Sequence, residues 1–118
     1  MISYVKIGDK TVPMVSVASV DRFYKNIFRV DPIALQTGDM DEGEAITLFM
    51  QMGFVMAKFA EVKTASGMTF NEDDYLDWLC QFDRKAYYDA LPDIRAAYEG
   101  QDMSEVDAKK NNDQPSDE

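Results

Sequence analysis

Histidine is absent from this 118-residue chain, and cysteine occurs once, at Cys80. The first absence removes the commonest general base and the commonest metal ligand. The second excludes an intramolecular disulfide and points to a reducing compartment. Basic charge is also scarce. Twelve Lys and Arg face 22 Asp and Glu, for a formal net charge of -10. A field of that sign repels phosphate backbones, so no nucleic-acid partner is expected. Long apolar runs are missing too. The longest uncharged stretch is Ala45 to Ala57, shorter than the roughly 20 residues of a membrane span. The opening Met1-Ile2-Ser3-Tyr4-Val5-Lys6 has no basic start followed by an apolar run. It does not read as a signal peptide, and a cytoplasmic protein without membrane contact is expected.

The chain divides at about residue 100. Residues 1–100 carry the apolar periodicity and read as one domain. Residues 101–118 contain no aromatic residue and only Met103 and Val106 as clear apolar side chains. Six acids against two lysines give this segment a charge of -4. It buries too little to offset its chain entropy, so a disordered acidic tail is expected.

The expected fold is α+β and mainly helical, with an N-terminal β-hairpin packed on about four helices. Tyr4-Val5-Lys6-Ile7 and Thr11-Val12-Pro13-Met14-Val15 flank Gly8-Asp9-Lys10, which predicts a hairpin. Pro13 has no N–H to donate, which places its strand at an edge or at a bulge. Ser19 is a plausible N-cap for a helix through Arg29, with Phe23, Ile27 and Val30 as its apolar stripe. Asp31-Pro32 ends that helix. Ile33 to Met40 then reads as a connecting loop with room for one helical turn.

The strongest helix runs from about Glu42 to Lys63. It is apolar on nearly every face, and Gly53 in its interior predicts a close helix–helix approach. Gly67 is its expected terminator. Thr69-Phe70-Asn71-Glu72 matches a capping box and predicts a helix through about Phe82. Tyr75, Leu76, Leu79 and Cys80 recur along it at helical spacing, with Trp78 and Phe82 as a second apolar row. Asp83 caps a short helix to Ala90. Leu91-Pro92 breaks it, and a last turn or two follows from Asp93 to Glu99.

Three groups of side chains are candidates for chemistry. Asp39, Asp41, Glu42 and Glu44 have metal-ligand chemistry but not the spacing of a calcium loop. Glu72, Asp73, Asp74 and Asp77 contain enough carboxylates for acid–base work. Both groups sit at helix starts, where carboxylates complement the helix dipole, and that is the favoured reading. Cys80 has no histidine partner and lies within the apolar rows, so a buried structural thiol is expected. No catalytic residue, metal or cofactor is assigned. One group remains, in the central helix: Met50, Met52, Phe54, Met56 and Phe59. It reads either as core or as an adaptable protein-binding surface, since methionine repacks around different partners. The second reading makes these five the candidate partner-binding residues.

The order of segments resembles a known family. Lys6-Ile7-Gly8-Asp9-Lys10-Thr11-Val12-Pro13-Met14 is followed by Arg22-Phe23-Tyr24-Lys25-Asn26-Ile27-Phe28. Next come Val55-Met56-Ala57-Lys58, Tyr75-Leu76-Asp77-Trp78-Leu79-Cys80-Gln81-Phe82-Asp83 and Ala90-Leu91-Pro92-Asp93-Ile94. This series, across residues 3–99, resembles the tail assembly chaperones of long-tailed bacteriophages and prophages of Gram-positive bacteria. The resemblance implies a non-enzymatic protein of the bacterial host cytoplasm, absent from the mature virion. It would bind the tape measure protein and keep it soluble while tail tube subunits polymerise. The tail tube protein is a further candidate partner. The family often makes a longer frameshifted product, and Lys109-Lys110-Asn111-Asn112 is compatible with an A-rich slippery run. Homo-oligomers joined through the hairpin edge fit both the resemblance and the strand chemistry. The alternative is a structural tail component, such as a connector or tail completion protein. An acidic DNA mimic ranks below both.

Overall fold

Gly8-Asp9 closes the N-terminal hairpin, with Gly8 at a φ of 66°. A glycine with positive φ at the first of two loop positions matches the twist of the flanking strands. Strand β1 (Ile2–Ile7) pairs antiparallel with β2 (Lys10–Val15) in a two-stranded sheet. A computed structural model describes residues 2–100. The expected tail, residues 101–118, lies outside the described residues. Val5, Ile7 and Met14 face inward and are buried, while Tyr4 and Pro13 form an outward-facing pair. Pro13 is therefore at an edge, without a bulge. Hydrogen-bonded and open pairs alternate away from the tight loop. Counting from Ile7–Lys10, Pro13 falls in an open pair, where its missing N–H faces away from β1.

Helix α1 spans Val20–Phe28 and α2 spans Pro32–Thr37. The buried stripe of α1 is Val20 and Tyr24, whereas Phe23 and Ile27 are half-buried and Val30 is exposed. Ser19 stands at the N-cap without a side-chain capping bond. The segment expected as a loop starts with a helix, because Asp31-Pro32 both ends one helix and begins another. The Asp31 carboxylate accepts from the N–H groups of Ile33 and Ala34 at 2.9 and 3.3 Å, and Pro32 takes the first helical position.

Helix α3, Glu42–Val62, is the axis of the domain. Asp41 and Glu44 form a reciprocal capping box at its start. Its end is made by Lys63 in the left-handed region at a φ of 64°, and not by Gly67, which lies in a following 3₁₀ turn. Taken whole, α3 is long and apolar enough to cross a membrane by length and composition, although its uncharged run stops at Ala57. Half of its most apolar window is buried inside the domain, as in the core helix of a globular fold.

Helix α4 spans Glu72–Leu79, shorter than expected at both ends. Its capping box is made by Asn71 and Asp74, and the Thr69/Glu72 match is unused. Phe70, just before the cap, packs on Phe54, which also meets Tyr75 at the fourth helical position. That contact fixes where the chain enters the helix. Cys80 and Leu76, expected within an apolar row, are exposed, and Tyr75 and Trp78 form the buried side.

Helix α5 is continuous from Arg84 to Tyr98, with Pro92 inside it. The break expected at Leu91-Pro92 does not occur. Interior proline costs about 3 kcal/mol and frees one carbonyl. Pro92 sits on the solvent side, where water can take that carbonyl. The opposite side, Tyr87, Ala90, Ile94 and Ala97, is buried and holds the helix together.

Gly53 marks the crossing of α3 and α5, as expected. A Cβ there would lie 2.8 Å from the Tyr87 hydroxyl and 3.2 Å from Ile94 Cδ1. Tyr87 is fixed in place because its hydroxyl donates to the Met50 carbonyl at 2.6 Å. Ordinary helix propensity favours Gly→Ala by up to about 1 kcal/mol. Overpacking costs about 1–3 kcal/mol and opposes it. Gly53→Ala is therefore expected to lower the urea midpoint with an unchanged m-value. A raised midpoint would mean that the helices can separate freely.

Burial also predicts the alkaline limit of the fold. It pushes the Tyr24 and Tyr75 hydroxyls from 10.0 up to about 12. Tyr87 is driven up as well, by burial and then by Tyr75. Each group releases its proton more readily in the unfolded chain, so the unfolded state binds fewer protons above pH 10. Stability should therefore stay level from pH 7 to 9 and fall between about pH 10 and 12. Circular-dichroism melts across that range, read with Tyr24→Phe and Tyr75→Phe, check the assignment: each variant should flatten the fall.

Candidate functional site

Met52, Phe54 and Met56 lie in the core with no measurable exposure. Met52 through Ala57 are all buried, so every side of α3 is covered over that stretch. The hairpin, α1, α4 and α5 supply the cover. Of the two readings of this group, core holds for Met52, Phe54 and Met56, because the neighbouring elements cover α3 over this stretch. Met50 and Phe59 remain half-buried. Phe59 meets Phe23 at 5.7 Å between ring centres. Met50 lines a shallow recess of about 250 Å³ with Leu79 and Tyr88.

Two open concavities hold about 580 Å³ or more. The first is a groove of about 580 Å³ where α1 and α2 pass the N-terminal half of α3. Tyr24, Phe28, Leu35 and Leu48 give it an apolar floor, and Asp41 and Glu44 stand on its rim. The Tyr24 hydroxyl donates to Gln51 Oε1 within it. Val30 lines one end, and on the same α1–α2 corner Val30 and Ile33 are 43% and 50% exposed. The second is a cleft of about 700 Å³ beside β2, walled by the C-terminal half of α3 and by Trp78 and Phe82. Lys10, Lys58 and Lys63 surround it, with Glu61 the single acid. Lys58 pairs with Glu61 at 3.3 Å and lies 5.3 Å from the ring centre of Phe70.

The carboxylate groups singled out by sequence are used locally. Asp41 Oδ1 accepts from the Glu44 N–H at 2.8 Å, and Glu44 Oε1 accepts from the Asp41 N–H at 3.0 Å. Asn71 and Asp74 repeat the arrangement on α4. Among the described residues, no group of three or more Cys, Asp or Glu side chains converges to hold a metal. Sequence reading missed a polar knot that pins the end of α5. The Tyr98 hydroxyl donates to Asp21 and accepts from Gln36 Nε2 at 3.0 Å, and Ser16 Oγ donates to the Tyr98 carbonyl at 2.6 Å. Burial, then the bond to Asp21, pushes the Tyr98 hydroxyl up to about 12. These partners stand 62 to 82 residues apart, so no local pattern announces them. The groove and the cleft are similarly assembled from distant segments. Both offer shape and charge for binding.

No protein family, curated protein or solved structure matches the chain.

Cys80 is placed on the surface just beyond α4, against the expectation of a buried thiol. It should react with a disulfide reagent such as 5,5′-dithiobis(2-nitrobenzoate) in the native protein nearly as fast as in urea. Protection by tenfold or more would return it to the interior.

Proposed function

We propose that this protein is a tail assembly chaperone of a long-tailed phage or prophage, acting by binding and not by catalysis. Its client would be the tape measure protein, held soluble in the host cytoplasm while the tail tube polymerises. The segment order across residues 3–99 suggests the family. The observation that carries the reading is the open apolar groove between α1, α2 and α3. An apolar floor with an acidic rim suits a helical client that carries apolar anchors beside basic residues. The strong acidity keeps a protein with exposed apolar surface in solution. The binding face moves accordingly. Met52, Phe54 and Met56 belong to the core, and Phe28, Val30 and Leu35 take the client. Among the described residues the sheet holds β1 and β2 alone, which leaves room for homo-oligomers by strand addition along a long client.

Co-expression with the tape measure protein tests the reading. The client should be soluble only in the presence of this protein, in a complex with several copies per chain by light scattering. Val30→Asp and Thr47→Arg change exposed groove positions and should keep the native melting temperature. Together they should lower the soluble client at least tenfold. If the variants hold the client as well as the native protein, the groove assignment fails. A client that gains nothing, with this protein sedimenting in mature particles, would favour a structural tail component.

A further inference from the structure

Positive charge is concentrated where this acidic chain has a hollow. Lys10 and Lys63 border the cleft beside β2, and among the described residues neither belongs to an ion pair. Lys58 is already committed to Glu61. Between the lysines, apolar Ala57, Ala60, Trp78 and Phe82 line the cleft beside polar Thr11 and Gln81. The occupant should therefore carry carboxylates spaced by small apolar side chains.

The chain itself supplies such a segment. Asp102-Met103-Ser104-Glu105-Val106-Asp107 follows directly on the domain. It places three acids around the only two clear apolar side chains beyond Gly100. The point of departure is also favourable. Ser16 Oγ holds the Tyr98 carbonyl, which fixes the end of α5 beside the end of β2. The cleft follows β2 back from Pro13 to Lys10. At about 3.3 Å per residue, that stretch lies roughly 10–20 Å from Ser16. The six residues from Gly100 to Val106 reach about 20 Å when extended.

We propose that residues 102–107 dock into the cleft between β2, α3 and α4 of their own chain. Their carboxylates meet Lys10 and Lys63, and Met103 and Val106 rest on the apolar lining beside Trp78 and Phe82. The contacts need not be strong, since a short tether gives an effective concentration of about millimolar. The inference is independent of the chaperone reading, because it concerns how the chain covers its own cleft.

Zero-length carbodiimide coupling of the full chain, read by peptide mass spectrometry, tests it. Links from Asp102, Glu105 and Asp107 should concentrate on Lys10 and Lys63, at least fivefold over exposed Lys25 and Lys85. They should fall at least fivefold in 1 M NaCl, where the screening length is about 3 Å. Met103→Ser with Val106→Ser changes no described residue and should lower the same links at least threefold. Links spread evenly over the lysines would overturn the proposal, as would yields unchanged in salt or in the double variant. A mixture of ¹⁴N- and ¹⁵N-labelled protein separates the remaining source. Mixed-isotope links at Lys10 and Lys63 would assign the cleft to the segment of a second copy and overturn docking within one chain.

Discussion

Helix α3 is buried at six consecutive positions, Met52 to Ala57, and a helix can be covered so fully only if neighbours approach it from every side. The remaining elements are placed to meet that demand. The hairpin lays β2 with Met14 over it and β1 with Val5 and Ile7 over α5, α5 crosses at Gly53, and α1 and α4 bring Tyr24, Tyr75 and Trp78. The rings make edge-on contacts around Phe54, with Phe70, Tyr75 and Trp78 each within 6.0 Å between centres. Such pairs add about 0.5–1.5 kcal/mol each beyond the area they bury. An isolated two-stranded hairpin is marginal in water, so its stability comes from α3 and α5.

The same demand explains two local conflicts. Pro92 is a poor interior helix residue, yet α5 runs through it because Ala90, Ile94 and Ala97 must stay on one face against α3. Lys63 and Arg29 adopt left-handed backbone that glycine would adopt more easily. Both stand at helix C-termini, where their N–H groups cap the carbonyls of Phe59 and Lys25. Packing has overruled local preference at Pro92, and backbone capping bonds have done so at Lys63 and Arg29.

For function, burial of Met52, Phe54 and Met56 shifts attention from these side chains to the surfaces between helices. A flexible methionine core can adapt to small shifts without itself being a docking face. What remains outside is an apolar groove with an acidic rim and a lysine-lined cleft on the β2 side. These surfaces differ in charge. The polar knot of Tyr98, Asp21, Gln36 and Ser16 holds the end of α5 in register with both.

Much of this was legible in the residues. Alternation around Gly8-Asp9 announces the hairpin, and the uncharged run from Ala45 marks the central helix. Gly53 signals a close crossing, and Asp83 marks the start of α5. These are short-range effects, set by backbone geometry and the period of burial over a few residues. The reach of α5 past Pro92, the exposure of Cys80 and Leu76, and the enclosure of Met52, Phe54 and Met56 lay beyond such a reading. Each depends on which neighbour covers which side. A helix that is apolar all round has the same sequence whether a neighbour or a partner covers it. Lys10, Lys58 and Lys63 likewise become one site only after the hairpin is laid against α3, since nothing in their spacing along the chain brings their charges together.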